Sequence, residues 1–370
     1  MRAETLGELA SQRGVRLPAA LRGQTGSLAD TASRGWFRFQ RLYDLARTVV
    51  TEPELLRRVV SEIAADERAA GSGWVEIQVD PTPYAAGLGG LVGAMELLTD
   101  AGVQATAATG VGIGWIVAAN RTRHPLEAKT LARLSRRFAD RGVVGFGLSN
   151  DETRGSADQF ADSFRIARSV GLLCVPHGGE LRGPESVRAC VRALGADRIG
   201  HGVRVVEDPA TLAEIAERGV TLEVCPASNV ALGVVAAAAD VPLAALLDAG
   251  VPVALGADDP LLFGSGLVAQ YELVRSVHGL PDRVLAELAR ASVRGSAAPP
   301  SRREQLLRAI DGWLAGPGSP PTPTGTVRDR SSRRAAGRRP RQDARPCRPA
   351  IPPPARPPAP ARPSAAQPGA

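Results

Sequence analysis

The stretch Ser169–Glu180, SVGLLCVPHGGE, decides how this chain folds. An apolar run ends abruptly in a histidine, two glycines and a glutamate. The run is short and apolar throughout, as in a strand covered on both faces. The polar residues then fall at the C-terminal end of that strand. With four histidines in 370 residues, one at the end of a buried run with an acid three residues on asks for a chemical reason.

The same grammar recurs along the chain. Short apolar runs stand at WVEIQVDP (74–81), GVQATAATGVG (102–112), VVGFGLSND (143–151), RIGHGVR (198–204), VTLEVCPASN (220–229) and VPVALGADDP (251–260). Helical stretches separate them. LEAKTLARLSRRFADRG (126–142) puts Leu126, Leu131, Leu134 and Phe138 on one face. PESVRACVRALGADR (184–198) and DPATLAEIAERG (208–219) follow the same pattern and end at glycine or just before a new strand. Strands alternating with helices predict a parallel sheet, because parallel strands need crossover connections. The seven runs are one short of a (β/α)8 TIM barrel.

In such barrels reactive groups gather at the C-terminal ends of strands. This chain places His177 and Glu180 after one run, His201 after a second, and Asp258 with Asp259 after a third. Taken singly, each histidine reads as a structural residue, Glu180 as a solvated loop acid and the Asp pair as a turn before Pro260. Three clusters at the same end of three strands are hard to explain by core packing. A strand-end imidazole can bind a metal, and a glutamate in an apolar pocket is tuned toward proton donation.

Composition bounds the rest. The net charge is +7, but residues 316–370 hold eleven Arg and two Asp, a formal +9, which leaves the first 315 residues at −2. The basic character therefore belongs to the end of the chain, and the body gives no charge-based case for nucleic-acid binding. Residues 316–370, rich in Pro, Arg and Ala, are expected to form a disordered tail, and residues 1–315 one domain. No apolar stretch suits a membrane span or a signal peptide. The four cysteines (Cys174, Cys190, Cys225 and Cys347) lack CxxC spacing and read as reduced thiols. The expected setting is cytoplasmic.

VPHGGE (175–180), RIGHGVR, EVCPASN (223–229) and GADDP (256–260), in this order, resemble the adenosine deaminase family. RASVRGSAAP (290–299) and LLRAIDGWLA (306–315) resemble its last helices. The resemblance implies a (β/α)8 barrel of the metal-dependent hydrolase type with one zinc ion, and hydrolysis of adenosine or deoxyadenosine to release ammonia. It implies zinc ligation by His177 and Asp258. Glu180 matches the donor to purine N1, His201 the group that positions and deprotonates water, and Asp259 the carboxylate facing N7. The implied partner is a small purine nucleoside.

Two departures shape the expectations. The family's first strand carries an HxH pair of ligands shortly before a segment like RAETLGELA, which here stands at residues 2–10. Either a start placed too late or a genuine truncation accounts for this, and the chain as given is expected to be poorly stable and nearly inactive. The second departure is LSNDE (148–152), where the family often has LAGDE. Asn150 replaces a glycine beside the purine. It either re-lines the pocket for another adenine nucleoside, such as an aminofutalosine, or simply takes a left-handed turn.

Overall fold

A computed structural model describes residues 1–22 and 35–316; the tail expected to be disordered lies, from residue 317 on, outside the described residues. Three helices come first: α1 (Ala3–Gln12), α2 (Trp36–Arg47) and α3 (Pro53–Ala69). Then strands and helices alternate as β1 (Trp74–Val79), α4 (Gly90–Thr109), β2 (Gly112–Asn120), α5 (Pro125–Arg137), β3 (Val143–Ser149), α6 (Ala161–Arg168) and β4 (Leu173–Gly178). The second half runs α7 (Pro184–Ala189), β5 (Arg198–His201), α8 (Pro209–Arg218), β6 (Thr221–Val224), α9 (Pro226–Ala231), α10 (Leu243–Asp248) and β7 (Val253–Leu255). Four helices close it: α11 (Pro260–Phe263), α12 (Leu267–His278), α13 (Asp282–Gly295) and α14 (Pro300–Leu314).

The strands form one parallel sheet in the order β1 to β7, the seven-stranded, helix-flanked curl expected of a barrel lacking one strand. Among the described residues, β1 pairs only with β2 and β7 only with β6. No helix among them is long and apolar enough to cross a membrane.

One predicted strand was misplaced. GVQATAAT is the C-terminal half of α4, and the strand is the next segment, GIGWIVAAN. Leu97, Leu98, Ala101 and Ala105 of α4 are buried at helical spacing. Gly110 then stops the helix in the left-handed conformation, φ 75°. Alanine's helix propensity outweighs the β-branched residues among it. Trp74 explains the glycines of β2. A Cβ on Gly112 would lie 2.4 Å from its indole, and one on Gly114 3.0 Å.

The other elements follow their local chemistry. His124 caps α5, its Nδ1 accepting from the Leu126 N–H at 3.2 Å, and Pro125 fills the first helical position. Leu131, Leu134 and Phe138 are buried, each contributing about 1.5–3 kcal/mol. Leu126, expected on the same face, is 61% exposed: at about 100° per residue it lies roughly 140° around the helix from Leu131. Phe146 of β3 meets Phe164 of α6 edge-on at 5.0 Å, which holds the helix layer to the sheet.

Candidate active site

Register brings the histidines together. In the β4–β5 pair, His177 stands opposite Gly200 and His201 opposite Gly178. Of the two imidazoles, that of His177 lies against its partner glycine across the ladder. The His177 ring covers Gly200, where a Cβ would lie 3.0 Å from Nδ1. The two rings sit 5.2 Å apart between centroids. Beyond the strand, Gly179 has φ 68° and turns the chain so that Glu180 enters the same space.

One cavity of about 1050 Å³ collects His177, Glu180, His201, Asp258, Asp259 and Asn150, all six of the residues singled out from the sequence. Three of those six are also the only non-glycine residues with positive φ among the described residues: Asn150 (79°), His201 (63°) and Asp258 (57°). Such conformations cost energy in L-residues and concentrate where function over-determines the backbone. Asn150 secures its turn by accepting the Asp151 N–H on its own Oδ1 at 2.8 Å. His124 and His278 are elsewhere: the first caps α5, and the second has Nε2 2.9 Å from the Ala238 carbonyl.

Electrostatics separate the groups. Burial pushes the Glu180 carboxyl up to about 7, and Asp258 and Glu152 add to this against the opposing pull of His201. Burial alone would lower His201, but Glu180 and Asp258 outweigh it and raise its pKa. Its Nε2 lies 3.5 Å from Glu180 Oε1 and 4.0 Å from Asp258 Oδ2. His177 goes the other way: burial, then the nearby His201 and Arg121, hold it well below the ordinary histidine value and so neutral. Burial, with Asp258 beside it, raises Asp259 to about 6.

Sequence inspection missed three residues that shape the site. Glu152, buried at the end of LSNDE, accepts four successive backbone N–H groups: Gly179 at 2.6 Å, Glu180 at 2.9 Å, Leu181 at 2.6 Å and Arg182 at 2.9 Å. That ring of amides compensates the buried carboxylate and fixes the loop carrying Glu180. Asn229, fully buried on α9, places Nδ2 3.2 Å from His201 Nδ1. An amide nitrogen only donates, so Nδ1 accepts and the ring proton sits on Nε2. Turning the amide over would set Asn229 Oδ1, which has no partner, on Nδ1 and free Nε2 to accept a proton. Cys225, between β6 and α9, is the third. Its buried thiol lines the cavity, and burial, followed by Asp258 and Glu223, raises its pKa well above the ordinary value. For Asn229 and Cys225 the motif EVCPASN was the available signal. For Glu152 there was only an acid at a strand end, 27 residues from its first partner.

The donors suit a divalent metal. His177 is neutral, and its Nδ1 is buried without a hydrogen-bond partner. His201 and Asp258 add imidazole and carboxylate within the same cavity, a donor chemistry zinc accepts.

Comparison with known proteins gives the family. The adenosine deaminase family model matches residues 1–313. A protein of Streptomyces coelicolor described as a putative adenosine/adenine deaminase is 60% identical over 319 residues, 85% of this chain and 93% of that protein. An aminodeoxyfutalosine deaminase of the same organism is 35% identical, covering 74% of this chain and 71% of its own. The crystal structure of adenine deaminase from Arthrobacter aurescens superposes with a TM-score of 0.77 at 25% identity, covering 85% of this chain and 95% of that one. The chain belongs to the adenosine deaminase family of metal-dependent amidohydrolases, enzymes that hydrolyse amidine C–N bonds.

Proposed function

We propose that the protein catalyses zinc-dependent hydrolytic deamination of adenosine or deoxyadenosine, giving the inosine product and ammonia. The observation that carries this is the convergence of a carboxyl raised to about 7 (Glu180), an imidazole 3.5 Å away (His201) and the Asp258–Asp259 pair in one cavity. His177 and Asp258 would hold the zinc. When bound, zinc supplies Lewis acidity that makes water a nucleophile near neutral pH.

The chain's own residues carry the protons. Glu180, protonated near neutrality, donates to purine N1 and leaves C6 electron-poor. His201 accepts the proton of the attacking water once Asn229 presents Oδ1 to its Nδ1. Glu152, through the four amides it gathers, keeps Glu180 at a fixed depth. Asp259, raised to about 6, donates to N7 in its protonated form. The tetrahedral C6 then expels ammonia as His201 passes its proton to the leaving amino group, and the C6 hydroxyl returns a proton to Glu180, so one water enters for each ammonia released.

The cavity is roomy enough for a nucleoside. Asn150, a side chain where the family often has glycine, favours a second substrate type, an adenine nucleoside altered at the 5′ position such as an aminofutalosine. Ammonia release from adenosine, deoxyadenosine, adenine and an aminofutalosine, measured on the zinc-loaded protein, decides among these. The highest kcat/KM is expected with adenosine. A preference for adenine would overturn the nucleoside assignment. No ammonia from any of the four, with zinc bound stoichiometrically, would mark an inactive member of the family.

A further inference from the structure

The chemistry above leaves Cys225 without a task, although its thiol lies inside the cavity. Sγ, an imidazole nitrogen of His201 and a carboxylate oxygen of Asp258 all lie within 4.8 Å of one another. Among the described residues this is the only such grouping of three or more potential metal ligands, and His177 is not part of it. Gly256 makes the arrangement possible, since a Cβ there would come within 2.9 Å of the sulfur. The other described cysteines, Cys174 and Cys190, are buried outside the cavity lining.

We propose that His201, Cys225 and Asp258 form a second coordination mode for a thiophilic divalent cation, Zn²⁺ or Cd²⁺, and that this mode silences the site. Thiolate, imidazole and carboxylate make a donor set that such ions prefer over Mg²⁺ or Ca²⁺. His201 Nε2 and Asp258 Oδ2 are 4.0 Å apart. With bonds of roughly 2.0–2.3 Å, tetrahedral ligands lie about 3.3–3.8 Å from one another, so the three atoms need to close by about 1.5 Å or less. On binding, the S–H bond breaks, the S–metal bond forms and the proton leaves to solvent; nothing is oxidised or reduced. An ion held there occupies the base His201 and the ligand Asp258 together. The coordination stands apart from the deaminase assignment, and only the loss of turnover rests on it.

Metal-stripped full-length chain carrying Cys347→Ser, which removes the thiol in the C-terminal stretch, is titrated with Co²⁺. The expected result is a near-ultraviolet thiolate-to-cobalt charge-transfer band that saturates at one equivalent. Adding Cys225→Ser should abolish the band and weaken Cd²⁺ binding by more than about tenfold, a loss that even outer partners of a ligand can cause. Adding Cys190→Ser should leave the band in place. A folded state for Cys225→Ser is checked by circular dichroism. A readout that needs no change at Cys225 is iodoacetamide labelling mapped by peptide mass spectrometry, where one equivalent of Cd²⁺ should protect Cys225. Cobalt bound without the band, a band that survives Cys225→Ser, no cobalt bound, or equal labelling with and without Cd²⁺ would each overturn the coordination. Inhibition by excess zinc that is equal in the parent and Cys225→Ser proteins would overturn the silencing alone.

Discussion

Strand β5 is four residues long, and its two ends treat charge in opposite ways. At one end Arg198 is buried with every demand met. Its Nε donates to Glu223 at 2.8 Å, Nη1 to the Gly295 carbonyl at 2.7 Å and Nη2 to Glu76. Glu76 also accepts from the Trp74 indole at 2.9 Å and the Ala297 N–H at 2.6 Å. At the other end His201 has strained backbone, two carboxylates beyond hydrogen-bond reach and a partner amide whose oxygen is unused. Balanced charge fastens β1, β5, β6 and α13 together. Unbalanced charge three residues away leaves protons free to move. A buried ionisable group therefore identifies a reactive site only when its partners leave it incomplete.

Removing the Glu180 carboxyl tests the reactive end most severely. Glu180→Gln is expected to lower kcat/KM by about 10²–10⁴-fold, the usual contribution of a positioned general acid. It should also change stability against pH in the metal-free protein. The folded carboxyl titrates near 7 and the unfolded one near 4.5, so between these values the folded state holds a proton that the unfolded state releases. Wild-type stability therefore falls as pH rises through that window. Urea midpoints at pH 5 and pH 8 should differ less in Glu180→Gln than in wild type; an unchanged difference would mean that burial does not raise this group.

Arg198→Ala probes the balanced end. The half-buried carboxylates of Glu76 and Glu223 lose the buried cation they share, at an expected cost of about 3–5 kcal/mol in denaturant unfolding. A loss below about 1 kcal/mol, the range of an exposed pair, would erase the contrast between the two ends.

Glu152→Gln sharpens the comparison, because Glu152 is a balanced charge serving the reactive end. An amide cannot accept from all four N–H groups, and the expected cost is about 1–3 kcal/mol. Hydrogen exchange should quicken at residues 179–182 while amides of β5 keep their protection. Uniform exchange across the sheet would assign Glu152 to the fold at large.

Asn150→Gly carries the smallest expected effect, within about 1 kcal/mol in stability, since glycine accepts positive φ freely but gains entropy when unfolded. Its signature is selectivity: the ratio of kcat/KM for adenosine to that for a 5′-altered nucleoside should change. An unchanged ratio would reduce Asn150 to a turn residue, which its own hydrogen bond to Asp151 already supports.

The sheet was legible in the chain because parallel strands buried on both faces announce themselves as apolar runs ending in polar residues. Six of the seven runs coincide with strands. The failure at residues 102–112 came from Thr and Val in a segment whose alanines favour helix, with the stop signal, Gly110, falling inside the expected strand. The six candidate residues were visible because each ends or follows a strand. Glu152 and Asn229 were not singled out, since their effect runs through backbone amides and a ring tautomer, and pairing 27 or 28 residues apart leaves no periodic trace. Arg198 and Glu76, 122 residues apart, are invisible for the same reason.

The most direct test of hydrolysis at C6 by this site is incubation of the zinc-supplied protein with adenosine in ¹⁸O-labelled water, followed by mass spectrometry of the purine product. Product accumulates over long incubation, so slow turnover suffices. One ¹⁸O per inosine, one ammonia per label, and neither from Glu180→Gln is the predicted result. Unlabelled product, or equal labelled product from Glu180→Gln, would contradict it.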